Sequence, residues 1–275
     1  LFYAAAALTQ DAWQRLETQS ESAIGQRVMM LAGWGATETA PDCTQVYWPI
    51  EKAGVIGLPI PGCELKLTPN EEKLEVRVRG ANVTPGYWKR EDLTTAAFDQ
   101  DGFYCIGDAA RLEETDEPEK GIVFDGRVSE NFKLSSGTWV FVGGLRTNVV
   151  SAASNVIQDA AIAGHDEEAL GLLIFPNVAG CRKLCPDILD DAPLKNILAS
   201  GEVRAALKAA LQTYNAQNTG SSVRISRVLL MTDPPNIDAN EITDKGYINQ
   251  RAVLAQRADL VKKLYSEDPE VLLID

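Results

Sequence analysis

The apolar residues of this chain change their spacing partway along it, and that change restricts the possible folds more than composition does. The first segment reads strand, helix, strand. Leu1-Phe2-Tyr3 is a strand pattern, and Thr9 is placed to cap a helix to about Ile24, with Trp13, Leu16 and Ile24 roughly on one face. Val28 to Leu31 is a second buried strand ending in Gly33-Trp34-Gly35. This order predicts a parallel α/β layer whose functional loops lie at strand C-termini. The period then becomes two: Cys63, Leu65 and Leu67 alternate with polar residues, as do Leu74, Val76 and Val78. Pro-Gly at 61–62 and 85–86 and Asp-Gly at 101–102 punctuate short strands, and Phe103 to Ile106 and Ile122 to Phe124 are further ones. An antiparallel, barrel-like unit is expected there. Beyond Arg127 the pattern is α+β. Strands are predicted at Trp139–Val142, Val156–Ala163, Leu170–Phe175 and Val223–Met231, and helices near Leu145–Ser154, Glu202–Tyr214 and Ile248–Leu264.

At 275 residues the chain is long enough for two domains, each with a buried core. A formal charge of -13 argues against nucleic acid and against an anionic membrane, since both need a basic surface. The acidic run Glu113, Glu114, Asp116, Glu117 and Glu119 reads as a solvated loop around Pro118. The longest apolar stretch, Leu1 to Leu8, is far short of the ~20 residues of a spanning helix and lacks the basic flank of a signal peptide. The five cysteines, Cys43, Cys63, Cys105, Cys181 and Cys185, are irregularly spaced. No second pair or nearby histidine completes a zinc site around Cys181 and Cys185. Reduced thiols in a cytoplasmic protein are expected. The single histidine, His165, follows an apolar run and reads as strand-end packing or an exposed residue, which leaves little room for a Ser-His-Asp hydrolase.

Four segments hold residue types suited to chemistry. In Gly33-Trp34-Gly35-Ala36-Thr37-Glu38-Thr39, glycines admit a close ligand, an aromatic can stack on a base, and a hydroxyl beside a carboxylate suits phosphate and Mg²⁺. A Gly-rich strand-end turn with a capping threonine explains the same residues equally well. In Tyr104-Cys105-Ile106-Gly107-Asp108, a carboxylate at a strand end can accept both hydroxyls of a ribose, or Gly-Asp is a plain turn. Asp125-Gly126-Arg127, followed by Phe132-Lys133-Leu134-Ser135-Ser136-Gly137, offers an arginine for ribose or phosphate oxygens, or a solvated arginine after a hairpin. Glu241-Ile242-Thr243-Asp244-Lys245-Gly246 offers a lysine that can neutralise charge at phosphorus, or a surface lysine.

Taken together, in this order and at these gaps, the four segments resemble the second half of the adenylate-forming superfamily of acyl-CoA synthetases, luciferases and nonribosomal adenylation domains. The resemblance covers nearly the whole chain. It implies an α/β and α+β fold. Residues 1–128 would be the C-terminal part of the large AMP-binding N-terminal domain, a parallel α/β layer plus a β-barrel-like subdomain. Residues 129–275 would be the small, mobile C-terminal domain. Ala4-Ala5-Ala6-Ala7-Leu8 is similar to the family's small-residue adenine strand, so Ala5 and Ala6 are implied to border the adenine. Trp34 holds the position of the aromatic that stacks on adenine, with Gly35 beside it. Thr37 is implied to touch the α-phosphate and Glu38 to bind Mg²⁺. Asp108 is implied to be the ribose acid, Arg127 its partner, and Lys245 the adenylation lysine. Ser129 is implied to be the hinge, and Ser136 and Gly137 to flank the path of coenzyme A. Gly57-Leu58-Pro59 followed by Pro61-Gly62 is similar to the family's entry into its barrel subdomain.

Within the superfamily, Arg79 to Trp88 and Phe132 to Val140 are most similar to bacterial feruloyl-CoA synthetases. Phe-Lys-Leu-Ser is also similar to long-chain acyl-CoA synthetases and carboxylic acid reductases. The resemblance implies an ATP-dependent acid–thiol ligase acting on a hydroxycinnamate-like acid, with ATP, AMP, Mg²⁺ and coenzyme A. Alternatives are a long-chain acyl-CoA synthetase, a carrier- or reductase-linked adenylation domain, and a non-catalytic module with weak nucleotide affinity. Three departures stand out. Ser129 replaces the usual Asp or Lys. Lys245 sits in Thr-Asp-Lys-Gly rather than Ser-Gly-Lys, with Arg251 further away than usual. The family's Ser/Thr/Gly-rich phosphate loop has no counterpart, so the chain is expected to be part of a longer enzyme and unable to adenylate an acid alone.

Overall fold

The computed structural model describes residues 1–4, 8–189, 191–243 and 246–274. Two compact units are present, Leu1–Ser129 and Glu130–Asp275.

In the first unit, β1 (Phe2–Ala4) and β2 (Leu31–Trp34) pair in parallel, Phe2 opposite Leu31 and Ala4 opposite Gly33, with α1 (Gln10–Ile24) between them. Thr9 caps α1: its hydroxyl accepts from the Ala12 amide at 3.2 Å, satisfying one of the orphan N–H groups of the first turn. Only Trp13 of the expected helix face is buried; Leu16 and Ile24 are exposed. The strand also begins at Leu31, three residues later than its apolar run suggests. β3 (Thr44–Gln45), β4 (Val55–Pro59), β5 (Cys63–Asn70), β6 (Lys73–Gly80), β7 (Tyr104–Leu112) and β8 (Ile122–Arg127) then continue antiparallel. Among the described residues all eight strands form one sheet, in the order β1-β2-β3-β4-β8-β7-β6-β5. One apolar cluster takes Trp34 from β2, Ile56 from β4, Cys63 from β5, Val76 and Val78 from β6, Tyr104 from β7 and Ile122 from β8. A sheet whose distant strands share one core must curl around it. The helix α2 (Glu91–Ala97) was not expected from periodicity, and none of its residues is buried. The acidic loop near Pro118 is largely exposed.

In the second unit a hairpin of β9 (Phe132–Lys133) and β10 (Trp139–Val140) leads into α3 (Val142–Ala152). Val142, expected to end a strand, instead starts this helix. A four-stranded sheet follows, in the order β11 (Ile157–Ala163), β12 (Leu170–Pro176), β13 (Ile225–Leu230) and β14 (Leu272–Leu273). Every residue of β12 is buried, because clusters of apolar side chains cover both faces of the sheet. α4 (Val178–Leu184), α5 (Leu194–Leu198) and α6 (Gly201–Gln217) connect β12 to β13, a crossover that makes their pairing parallel. The first two of these helices were not anticipated. The single late helix expected to Leu264 is divided into α7 (Gln250–Gln256) and α8 (Ala258–Leu264). Arg257, between them, leaves helical geometry while its guanidinium reaches Glu241 and the carbonyls of Asp233 and Pro234. His165 is exposed just after β11.

Candidate active site

The turn after β2 is shaped by Gly35. A Cβ there would lie 2.1 Å from the Pro41 carbonyl oxygen, so only glycine fits. Thr39, fully buried, closes the turn: its hydroxyl accepts from the Ala36 amide at 2.8 Å and donates to the Ala36 carbonyl at 2.9 Å. The Asn82 amide donates to the carbonyls of Thr39 (3.0 Å) and Asp42 (2.8 Å). This bracing leaves Thr37 exposed and Glu38 half-buried. Tyr87 donates to Glu38 Oε1 at 2.9 Å and lies 3.1 Å from the Tyr104 hydroxyl, while the Thr84 amide donates to the Glu38 carbonyl at 2.7 Å.

Asp108 stands opposite Arg127 in the β7–β8 register and is 6% exposed. Its Oδ2 accepts the Trp34 indole N–H at 2.9 Å. Its Oδ1 lies 3.0 Å from Arg127 Nε as an ion pair, but the alignment is not that of a hydrogen bond, so Oδ1 is a buried acceptor without a donor. Burial pushes the Asp108 carboxyl above its ordinary range, opposed by the Arg127 charge and the Trp34 hydrogen bond. A buried carboxylate with unused lone pairs favours a ligand that brings hydroxyl donors. The vicinal diol of a ribose fits that requirement. Trp34 itself is only 8% exposed, packed in the core, so most of its ring surface is occupied by protein. Its role as holder of Asp108 has no signal in the sequence.

Trp34, Asp108 and Arg127 are therefore brought together, and Tyr104, on the same strand as Asp108, connects through Tyr87 to Glu38. Ala5 and Ala6 lie outside the described residues; β1 ends just before them, with Ala4 opposite Gly33. Ser129 is exposed in a 3-10 turn, Val128–Glu130.

In the second unit, Ser136 and Gly137 are exposed in the β9–β10 turn. Gly137 has φ +81°, its amide donates to Leu134 at 2.8 Å, and no atom would crowd a Cβ there. The Ser136 hydroxyl lies 2.9 Å from that of Thr138. Lys245 also lies outside the described residues, but its flanks are anchored. Ile242 bridges Ile248, and the Thr243 amide donates to Tyr247 at 2.8 Å. Glu241, 2% exposed, accepts from both ends of the Arg257 guanidinium at 2.8 and 2.7 Å and from the Asn236 amide at 2.8 Å. Those bonds hold the Glu241 carboxyl below its ordinary range. No described helix is long and apolar enough to cross a membrane.

Comparison with known proteins bears on both units. Residues 1–88 match the model of the AMP-binding enzyme family, and residues 142–269 match that of the AMP-binding enzyme C-terminal domain. A chloroplastic long-chain-fatty-acid–[acyl-carrier-protein] ligase of Arabidopsis thaliana is 26% identical over 258 residues, covering 89% of this chain and 33% of that protein. A long-chain-fatty-acid–CoA ligase of Mycobacterium bovis is 25% identical over 247 residues, covering 89% of this chain and 39% of that protein. The fold matches the A domain of carboxylic acid reductase from Segniliparus rugosus, solved with AMP and a co-purified carboxylic acid. The TM-score is 0.72 at 20% identity, over 96% of this chain and 38% of that one. The chain spans about a third of the length of the curated relatives it matches. With both parts matched in order along one chain, this protein belongs to the AMP-binding enzyme family, the adenylate-forming superfamily.

Proposed function

We infer that this chain supplies the C-terminal portion of a cytoplasmic, ATP-dependent ligase that joins a carboxylic acid to coenzyme A through an acyl-adenylate. The observation that carries the reading is the buried Asp108 carboxylate, fixed by Trp34 and paired with Arg127, with one oxygen still lacking a donor. Asp108 accepts the ribose hydroxyls of the nucleotide, Arg127 adds a cation beside them, and Ala5, Ala6, Trp34 and Gly35 border the base. Residues 1–128 form the end of the AMP-binding domain, and residues 129–275 form a mobile domain turning about Ser129.

In the first half-reaction, a carboxylate oxygen of the acid attacks the α-phosphorus of ATP, and the bond to pyrophosphate breaks. Thr37 and Lys245 donate to the oxygens on which charge grows. Glu38 is the carboxylate that holds Mg²⁺, which when bound neutralises phosphate charge. In the second half-reaction the thiol sulfur attacks the acyl carbon, AMP leaves, and the product is a thioester. Ser136 and Gly137 flank the thiol's approach, and the open space around Gly137 suits a pantetheine arm. The acid is a hydroxycinnamate of the feruloyl type, a reading supported by the similarity of Arg79 to Trp88 and Phe132 to Val140. Without the phosphate loop, the 275 residues alone do not adenylate an acid.

A second reading, activation of a long-chain acid or delivery to a carrier or reductase domain, is supported by the similarity to a long-chain-fatty-acid–[acyl-carrier-protein] ligase and a long-chain-fatty-acid–CoA ligase. The deciding experiment is acid-dependent pyrophosphate release by the full-length polypeptide, with and without coenzyme A, across ferulate, benzoate, palmitate and amino acids. Ferulate turnover to a CoA thioester supports the first reading. Preference for palmitate, or release indifferent to coenzyme A, supports the second. No release with any acid leaves only a non-catalytic module with weak nucleotide affinity.

A further inference from the structure

The segment from Asn82 to Tyr87 has no part in the chemistry above, yet it makes three kinds of contact with the turn that carries Glu38. The Asn82 side chain holds the carbonyls of Thr39 and Asp42. The Thr84 amide holds the Glu38 carbonyl. The Tyr87 hydroxyl holds the Glu38 carboxylate. Tyr87 is itself pinned, because its amide donates to Thr94 Oγ1 at 2.9 Å, in the middle of α2. Gly86 has φ +144°, and a Cβ there would lie 2.5 Å from the Thr94 methyl, so the approach of Tyr87 depends on glycine.

The direction of the hydroxyl chain follows from valence. A carboxylate only accepts, so the single proton of Tyr87 points to Glu38 Oε1. The proton between the two phenols, 3.1 Å apart, must then come from Tyr104, which is 6% exposed and packed edge-on against Phe98. The chain Tyr104 to Tyr87 to Glu38 runs one way, and each bond polarises the next. Tyr87 donates to Oε1, and no described Lys or Arg pairs with this carboxylate. Glu38 is half-buried with Oε1 committed to Tyr87 and no described cation beside it, which suits a one-oxygen ligand to a hard divalent cation.

We propose that Tyr87, backed by Tyr104, is a positioning residue that orients Glu38 as a single-oxygen ligand for the divalent cation of the nucleotide. The inference rests on the functional reading of Glu38 above and adds to it the device that sets the carboxylate's orientation. A hydroxyl partner suits this task better than a cation would, since Lys or Arg would cancel the charge the metal needs.

The test uses the full-length polypeptide with ATP and Mn²⁺ as the probe, free Mn²⁺ being read by electron paramagnetic resonance. Tyr87→Phe removes one oxygen and is expected to weaken protein-dependent Mn²⁺ binding about tenfold, the effect of losing one hydrogen bond to a charged group. Tyr104→Phe leaves the donor in place and is expected to weaken it about twofold. Glu38→Gln is expected to abolish it. In pyrophosphate release, Tyr87→Phe should raise the half-saturating Mg²⁺ concentration while restoring kcat at saturation, a split that general loosening of the fold would not give. If Tyr87→Phe misfolds, Tyr104→Phe decides by the same readout. Wild-type Mn²⁺ affinity in both variants, with loss in Glu38→Gln, overturns the role of Tyr87 and leaves the functional reading intact. Wild-type affinity in Glu38→Gln overturns the inference at its root, whereas absence of acid-dependent pyrophosphate release in the wild type is the separate failure of the ligase reading.

Discussion

Trp34 and Asp108 stand 74 residues apart and share a buried hydrogen bond of 2.9 Å, indole N–H to carboxylate. It joins the end of the parallel layer to a strand of the curled antiparallel part, and it fixes the carboxylate read here as the ribose acceptor. Trp34→Phe keeps most of the packing but leaves Asp108 Oδ2 without its donor. A loss of about 1–3 kcal/mol is expected from chemical denaturation of the chain, the cost of an orphaned buried acceptor. An unchanged midpoint would mean that water replaces the indole.

Asp108 also sets a pH dependence. Its carboxyl is raised by burial, so the folded state holds the proton more tightly than the unfolded chain does. The ionised form therefore opposes folding: stability falls as pH rises from the ordinary aspartate value of 3.8 through the raised one. Asp108→Asn should flatten that part of the stability profile and remove nucleotide affinity. A profile as steep as the wild type's would assign the titration to another group.

Gly35 and Gly62 separate steric demand from backbone conformation. Gly35→Ala drives a methyl to 2.1 Å from the Pro41 oxygen and is expected to cost about 3 kcal/mol or more, or to prevent folding. Gly62 has φ +84° but open space around it, so Gly62→Ala should cost only about 1–2 kcal/mol. Equal melting temperatures for the two variants would contradict the close approach at Gly35.

The Glu241–Arg257 pair anchors the segment before Lys245. Both side chains are largely buried, so Glu241→Gln leaves a guanidinium without its counter-charge and should destabilise the second unit by about 3 kcal/mol. Because the Glu241 carboxyl is depressed, the wild-type contribution is complete above the ordinary glutamate value of 4.5 and is lost as pH falls through the depressed one. The variant should lack that acid-side decline, as followed by circular dichroism between neutral and acid pH.

Gln250 is 1% exposed, and its side-chain amide pairs with Ile162 on the edge strand β11, accepting from the amide at 2.9 Å and donating to the carbonyl at 2.5 Å. The side chain acts as a one-residue strand that covers the edge. Gln250→Leu should expose or orphan both groups, at about 1–3 kcal/mol. Hydrogen exchange at the Ile162 amide should accelerate, and protection equal to the wild type would refute the cover.

Local information in the sequence located the strongly periodic elements but not the short ones, such as α2, α4 and α5. Alternation at Cys63, Leu65, Leu67 and Leu74, Val76, Val78 gave the long hairpin of β5 and β6, because facing residues in a strand recur every second position. Thr9 marked a helix start because its hydroxyl acts on an amide three residues away. The motifs that place the chain in its superfamily were legible for the same reason, as short contiguous runs. Tertiary structure alone decided which helix face was inside, burying Trp13 but not Leu16 or Ile24, since that depends on where the sheet lies. It divided the last helix at Arg257, whose partner Glu241 is 16 residues away. It also chose Trp34 for Asp108 and Tyr87 for Glu38, 74 and 49 residues distant. Partners at such separations are set by strand order and register, which no local period records. The sequence alone therefore determined the strongly periodic elements and the list of candidate groups, and the sheet decided which partners those groups meet.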